Sequence, residues 1–280
     1  MAGELAGAGL SLAAAACWGA ADFNGGLGTK GENPFGVVVI AHGIGLLCML
    51  ASALAAGEGV PSHRALIFGA AAGVAGGLGL AALYRSLSVG KMGINAPVAA
   101  VLTAALPVVC SFQIEGWPTW IQLAGFAIAL VSIWLIAMPA GEIGRPKGLG
   151  AAVLAGIGFS AFLVLSKQAA VEAVFWPLVI ARMTSMSTML LICVVARRPW
   201  VPARSALKFI AVAGVLDSVG NALFVAATRH GRLDVAAVLS SLYPATTVVL
   251  ARLVLKERMS ALQTTSMAAA IVAVPLIAAR

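Results

Sequence analysis

Among the ionisable side chains inside apolar runs of this sequence, Asp22, His42, Arg182 and Asp217 could do chemistry, and the two aspartates have a polar or aromatic companion at helical spacing. Asp22 follows Trp18 by four residues, which places both on one helix face. A carboxylate one turn from an indole can receive a substrate ammonium or a coupling proton, with the ring as an aromatic wall. Its structural alternative is an aspartate near a helix end that meets water, because Asn24 and Gly25 follow. Asp217 precedes Asn221 by the same interval, near the middle of its run. That carboxylate can bind a cation, take up a proton, or form an ion pair with Arg182. Arg182 can in turn grip a substrate carboxylate in bidentate fashion, pair with Asp217, or snorkel to an interface. His42 is a proton relay or a satisfied core histidine. An ionisable group in a lipid span costs roughly 2.5–3.5 kcal/mol on insertion scales, so each of these needs a partner, a cavity or a task.

Neutral polar groups accompany them. Tyr84, Asn95, Ser160, Ser240, Ser241 and Tyr243 can line a cavity and hydrogen-bond a zwitterion, or bond between helices. Pro97, Pro107 and Pro244 each remove a backbone donor inside an apolar run and so bend or shape the segment that holds them. Trp176 and Trp200 stand near the ends of runs, where indoles anchor at a membrane interface.

The elements that position these groups must be membrane helices. The chain of 280 residues is 61% hydrophobic and 10% charged, against roughly 25% charged in soluble domains. Its mean hydropathy is +1.01. A span needs about 20 mostly apolar residues. Segments of that kind run over about 6–27, 36–56, 65–86, 92–113, 119–139, 148–168, 175–196, 207–228, 234–255 and 260–279. None alternates polar and apolar residues as a barrel strand does, so helices are expected. The net charge of +8 lies in short loops and reads as a topology signal rather than a nucleic-acid footprint. The N-terminus lacks a basic leader, so the first run is expected to be retained. Cys17, Cys48, Cys110 and Cys193 fall in apolar runs without CxxC spacing, which indicates neither a disulfide nor a metal site.

The chain repeats itself. Val98-Ala99-Ala100-Val101-Leu102 recurs as Val235-Ala236-Ala237-Val238-Leu239, with Pro107 and Pro244 at the same distance beyond. Gly79 and Gly90 have the spacing of Gly220 and Gly231. A basic midpoint loop, Gly141 to Lys147, divides the spans five and five. Because five is odd, the second half enters from the opposite side. The expected architecture is therefore all-α, with ten transmembrane helices in two inverted five-helix repeats, 1–141 and 142–280, around a central cavity. Most basic residues lie in loops between odd and even spans, which by the positive-inside rule puts both termini outside.

These features resemble the drug/metabolite transporter superfamily of the EamA type. The resemblance is carried by Trp18-Gly19, by Ala82-Leu83-Tyr84-Arg85-Ser86-Leu87, by Leu242-Tyr243-Pro244 and by Lys256-Glu257-Arg258-Met259-Ser260. The last is similar to the family's Gly-Glu-Arg signature, with Lys256 where Gly is usual. Its first-half counterpart, Glu115-Gly116-Trp117-Pro118, has lost the Arg. The resemblance implies a ten-helix exporter in the inner or plasma membrane, similar to the YddG-type amino-acid exporters. It also implies both termini in the cytoplasm, against the charge count.

The expected function is a secondary transporter that exports or exchanges small metabolites, amino acids first, by alternating access. Nucleosides, cationic drugs and sugar phosphates are alternative substrates for the same fold. Protons can couple through Asp217 or Asp22. No cofactor, metal or nucleic acid is expected as partner, and the internal duplication fits a functional monomer. Without GxxxxGK[ST] the chain brings no ATP hydrolysis of its own, and without HExxH or a complete GxSxG it offers no catalytic constellation. An intramembrane enzyme or a channel is the remote alternative. Charge rings or filter sequences that would mark a channel are missing from the sequence.

Overall fold

The computed structural model describes residues 2–59, 61–89, 92–136, 148–255 and 261–278. Among them the regular elements are all α-helices: α1 (Ala2–Gly28), α2 (Pro34–Ala55), α3 (His63–Val89), α4 (Met92–Glu115), α5 (Trp120–Ile136), α6 (Leu149–Ala169), α7 (Phe175–Val195), α8 (Arg204–His230), α9 (Leu233–Ser240), α10 (Tyr243–Leu255) and α11 (Ala261–Ala278). Helices α1, α2, α3, α6, α7 and α8 are each long and apolar enough to cross a membrane. Shorter apolar stretches lie in α4, α5 and α11. At about 1.5 Å per residue the 22 residues of α2 span roughly the hydrocarbon thickness of a bilayer.

Many large apolar side chains point outward, and alanines are frequent in the interior. Leu47, Leu54, Val195 and Ile271 are more than 60% exposed. Ala14, Ala53, Ala104, Ala155 and Ala227 are fully buried. Lipid replaces water as the outer solvent, so helix association rests on close packing by small residues. Gly69, Gly73 and Gly77 on α3, four residues apart, meet Pro177, Ala181 and Ser185 on α7 along one seam. A Cβ on Gly73 would overlap the Ala181 carbonyl.

The packing is reciprocal. α1 lies on α8 and α3 on α6; α2 lies on α7; α3 meets α7 and α2 meets α8. α4 lies on α6, both α9 and α10 touch α1, and α5 lies on α11. Exchanging α1 with α6, α2 with α7, α3 with α8, α4 with α9–α10 and α5 with α11 maps each of these pairings onto another or, for α2·α7 and α5·α11, onto itself. Loop contacts follow the same exchange. Glu172 Oε2 accepts the Ser62 N–H at 2.9 Å before α3, and Glu32 Oε1 accepts the Ala203 N–H at 3.2 Å before α8.

The ninth span departs from the expected continuous helix. α9 ends at Ser240 and α10 begins at Tyr243, with a turn at Ser241–Leu242. Pro244 has no N–H to give the Ser240 carbonyl, and its ring crowds that carbonyl. The chain instead bonds Ser241 N–H to Ala237 O at 3.0 Å and Leu242 N–H to Leu239 O at 3.3 Å. The matching prolines Pro97 and Pro107 leave α4 continuous. The boundary expected at 141/142 and the Lys256–Ser260 motif lie outside the described residues.

Candidate functional site

A cavity of about 100 Å³ opens between the helices of the two halves. Its polar wall comes from α1 (Trp18, Asp22), α2 (His42), α7 (Arg182, Ser185), α8 (Asp217, Asn221) and α10 (Tyr243). A further part of the lining comes from α3 and α6. It presents Gly73, Gly76, Gly77 and Leu80 on one helix and Phe159, Phe162 and Leu163 on the other. The sequence therefore brings its ionisable residues and an apolar, aromatic surface to a single space.

Two contacts fix the polar wall. Trp18 Nε1 donates to Asn221 Oδ1 at 2.9 Å, locking α1 to α8, and the indole rests against Phe224 with centroids 5.7 Å apart. Gly220 lets that indole lie directly on the α8 backbone. Arg182 donates from its terminal nitrogen to Asp217 Oδ2 at 2.5 Å. The Arg182 side chain is 6% exposed and that of Asp217 31%. The guanidinium is thus held in the wall while the carboxylate meets the cavity.

His42 joins this pair from the other side. Its Nδ1 lies 2.7 Å from Ser185 Oγ, and its Nε2 lies 3.8 Å from Asp217 Oδ2. The first is a hydrogen bond; the second is within ion-pair range but too long for one. Gly45, one turn along α2, leaves room for Ser218 and the Arg182 stem.

Of the residues singled out from sequence, Trp18, Asp22, His42, Arg182, Asp217, Asn221 and Tyr243 line this one cavity. Ser160 and Ser240 are buried and occupied elsewhere. Ser160 Oγ donates to Gly156 O at 2.7 Å and to Leu102 O at 2.8 Å, and Ser240 Oγ donates to Ala237 O at 3.2 Å. Ser241 Oγ is buried without a partner among the described residues. The side chains of Tyr84, Asn95 and Pro97 lie outside those described. Pro107 sits in α4, and Pro244 follows the helix break. Trp200 is exposed as an anchor would be, whereas Trp176 is half-buried and donates its indole N–H to Glu58 O at 2.9 Å.

Sequence reasoning missed Ser185, the partner of His42. The signal was present: Val39-Ile40-Ala41-His42 matches Val179-Ile180-Ala181-Arg182, and Ser185 follows Arg182 as Gly45 follows His42. It also missed Asp234, which is fully buried and bound by Arg232 at 2.7 Å. Arg232 continues to Gly116 O at 2.8 Å, tying the start of α9 to the loop after α4. Glu58 was missed as well; its carboxylate accepts the Val174, Phe175 and Trp176 N–H groups that begin α7, at 2.8, 2.9 and 3.2 Å.

Among the described residues no group of His, Cys, Asp or Glu has the arrangement of a metal site. A crystal structure similar to this chain has a TM-score of 0.80 at 18% identity, with 95% of this chain and 94% of that chain covered. The likeness extends the same helical fold over nearly the whole length of both. No match is found among curated proteins. Residues 146–279 match the EamA-like transporter family, so this multi-pass membrane protein carries an EamA-like domain of the drug/metabolite transporter type in its second half.

Proposed function

We propose that this chain is a secondary transporter that exports or exchanges small metabolites across the inner or plasma membrane by alternating access, with amino acids as the first substrate class. The observation that carries the reading is the mixed lining of one cavity, which Trp18, Asp22, Arg182, Asp217, Asn221 and Tyr243 share with Phe159, Phe162 and Leu163. An amphipathic metabolite fits such a space, with its charged end on α1 and α8 and its body on α3 and α6. Transporter sites sit where two repeats meet. The reciprocal helix pairings and the VIAH/VIAR match support two inverted repeats, with the cavity on their pseudo-two-fold axis. A rocking exchange of the paired helices would then open the cavity to each side in turn, and a single chain suffices for it.

The test is counterflow in proteoliposomes. Vesicles loaded with an unlabelled amino acid should accumulate the labelled one transiently and saturably, and Asp217→Asn should abolish it. A linear, unsaturable flux would make the protein a channel. Absence of counterflow for amino acids, with saturable counterflow for a nucleoside, would reassign the substrate.

A further inference from the structure

We infer that the cavity recognises a primary ammonium group at Asp22, and that a proton on His42 opposes that ammonium by cancelling the excess negative charge of the cavity; the transport cycle built on this opposition rests on the carrier reading above. Two carboxylates, Asp22 and Asp217, share the cavity with one guanidinium. Arg182 is committed to Asp217 Oδ2 and is almost wholly buried. A substrate carboxylate would have to break that pair to reach it. Asp22 makes no hydrogen bond or ion pair among the described residues. With both carboxylates ionised and His42 neutral, the cavity carries one negative charge in excess, and the excess lies beside the Trp18 indole and Tyr243. A carboxylate next to aromatic faces binds an ammonium through charge and ring quadrupole together. The Phe159, Phe162 and Leu163 wall takes an apolar body.

The imidazole supplies the competitor. Both of its ring nitrogens face an acceptor: Ser185 Oγ at Nδ1 and Asp217 Oδ2 at Nε2. With the proton on Nδ1, the ring donates to Ser185 and turns the Nε2 lone pair toward the carboxylate. Two acceptors then face each other, which accounts for a separation of 3.8 Å rather than a hydrogen bond. An imidazolium uses both positions as donors. The titratable and charged groups that share the cavity with it are Asp217 from α8, Arg182 from α7, Asp22 from α1 and Tyr243 from α10. Among the described residues, α3 lines the cavity with Gly73, Gly76, Gly77 and Leu80 and with no ionisable side chain. A proton on Nε2 draws Asp217 Oδ2 toward His42 and cancels the excess negative charge. Ammonium and proton therefore exclude each other. Each transport cycle exchanges one proton for one ammonium-bearing solute, and no other atom is transferred.

The probes are phenethylamine, phenylalanine and 3-phenylpropionate, which share an apolar body and differ in their charged ends. Calorimetric binding to the purified full chain in nanodiscs should detect phenethylamine and phenylalanine but not 3-phenylpropionate. Affinity for phenethylamine should fall on acidification, by up to about tenfold per pH unit while His42 titrates. Two buffers of different ionisation enthalpy should report proton release on binding. In His42→Gln the fall in phenethylamine affinity on acidification should be smaller than in the wild type, leaving only what the carboxylates of the cavity contribute. Ser185→Ala, which removes one acceptor of the imidazolium, should move the midpoint of the pH dependence to lower pH and serves if the Gln variant does not fold. Binding of 3-phenylpropionate that strengthens in acid would overturn the inference by giving the site to Arg182. So would an unchanged pH dependence in His42→Gln, or no binding of either amine while counterflow of a metabolite persists. Amine binding with the stated pH dependence but no counterflow of any solute would instead sink the carrier reading and leave the site standing.

Discussion

Removing the Asp217 carboxylate should destabilise this protein more than removing the Arg182 guanidinium, although the two form one ion pair. The asymmetry follows from where each charge is left. Arg182 is 6% exposed and its partner 31% exposed. Asp217→Asn strands a guanidinium in the helix interface with only a neutral amide, and breaking a buried pair by removing one partner costs about 3–5 kcal/mol. Arg182→Met strands a carboxylate that still meets the cavity and lies 3.8 Å from His42 Nε2. Its cost is that of a lost charge-assisted hydrogen bond, about 1.5–3 kcal/mol. The double variant buries no unpaired charge at this site. Its total should fall below the sum of the single variants by more than about 1 kcal/mol, as expected for residues in direct contact. Equilibrium unfolding by SDS in mixed micelles, followed by helical circular dichroism, measures all three. An Arg182→Met variant as unstable as Asp217→Asn, or a double variant additive within about 0.5 kcal/mol, would refute the reasoning.

Gly73→Ala should lower stability by about 1–3 kcal/mol, because the added Cβ meets the Ala181 carbonyl carbon at 2.7 Å and backbone cannot give way cheaply. Gly9→Ala, where nothing lies within 4 Å, should be neutral or slightly stabilising in the same unfolding assay. Glu58→Ala removes the acceptor for the three N–H groups that open α7 and should cost about 0.5–2 kcal/mol, read as faster hydrogen exchange at Val174, Phe175 and Trp176. At the other loop contact, the Ser62 N–H holds the Glu172 carboxyl below its ordinary value. A depressed folded-state value means the contact contributes above the unfolded value of about 4.3 and is lost as pH falls through the folded one. Hydrogen exchange at Ser62 should therefore quicken below about pH 4.3 in the wild type and show no such step in Glu172→Gln.

Hydrophobic length made the spans legible, and helical spacing made two parts of the site legible. Trp18 with Asp22, and Asp217 with Asn221, needed only the rule that residues four apart share a face. The structure adds that Trp18 and Asn221 bond to each other across α1 and α8. What sequence could not supply was rotation. A span apolar on nearly every side gives no stripe from which to tell inward from outward, so Ser160 and Ser240 read the same as Tyr243 although their hydroxyls bond to helix carbonyls. Proline placement also under-determined the backbone. Pro107 and Pro244 follow identical pentapeptides, yet only the second stands beside a break. Asp234 escaped notice because it lies two residues from Arg232 near a span end, where a solvated pair is the ordinary expectation; its complete burial depends on the neighbouring helices.

On the inverted-repeat reading, the cavity owes its chemistry to divergence between halves that share a frame. The α1–α8 contact and the α6–α3 contact exchange under the pseudo-two-fold. In the first, Trp18 lies on Gly220; in the second, Phe159 lies on Gly79. The glycine that admits an aromatic ring is retained on both sides, because ring and backbone must meet for the helices to close. The polar groups are not retained: the first contact carries Asp22, Asp217 and Asn221, and the second offers Gly76, Leu80 and Leu163 to the same space. His42 and Arg182, at matching places in VIAH and VIAR, both reach Asp217 Oδ2, so the only carboxylate bonded in this wall is contested by one fixed cation and one titratable group from opposite halves. A symmetric pair of arginines there would hold the carboxylate permanently. Replacing His42 by Arg should accordingly lock the site, leaving a folded protein whose counterflow is lost at every pH, whereas a purely structural His42 would tolerate a second guanidinium and keep transport.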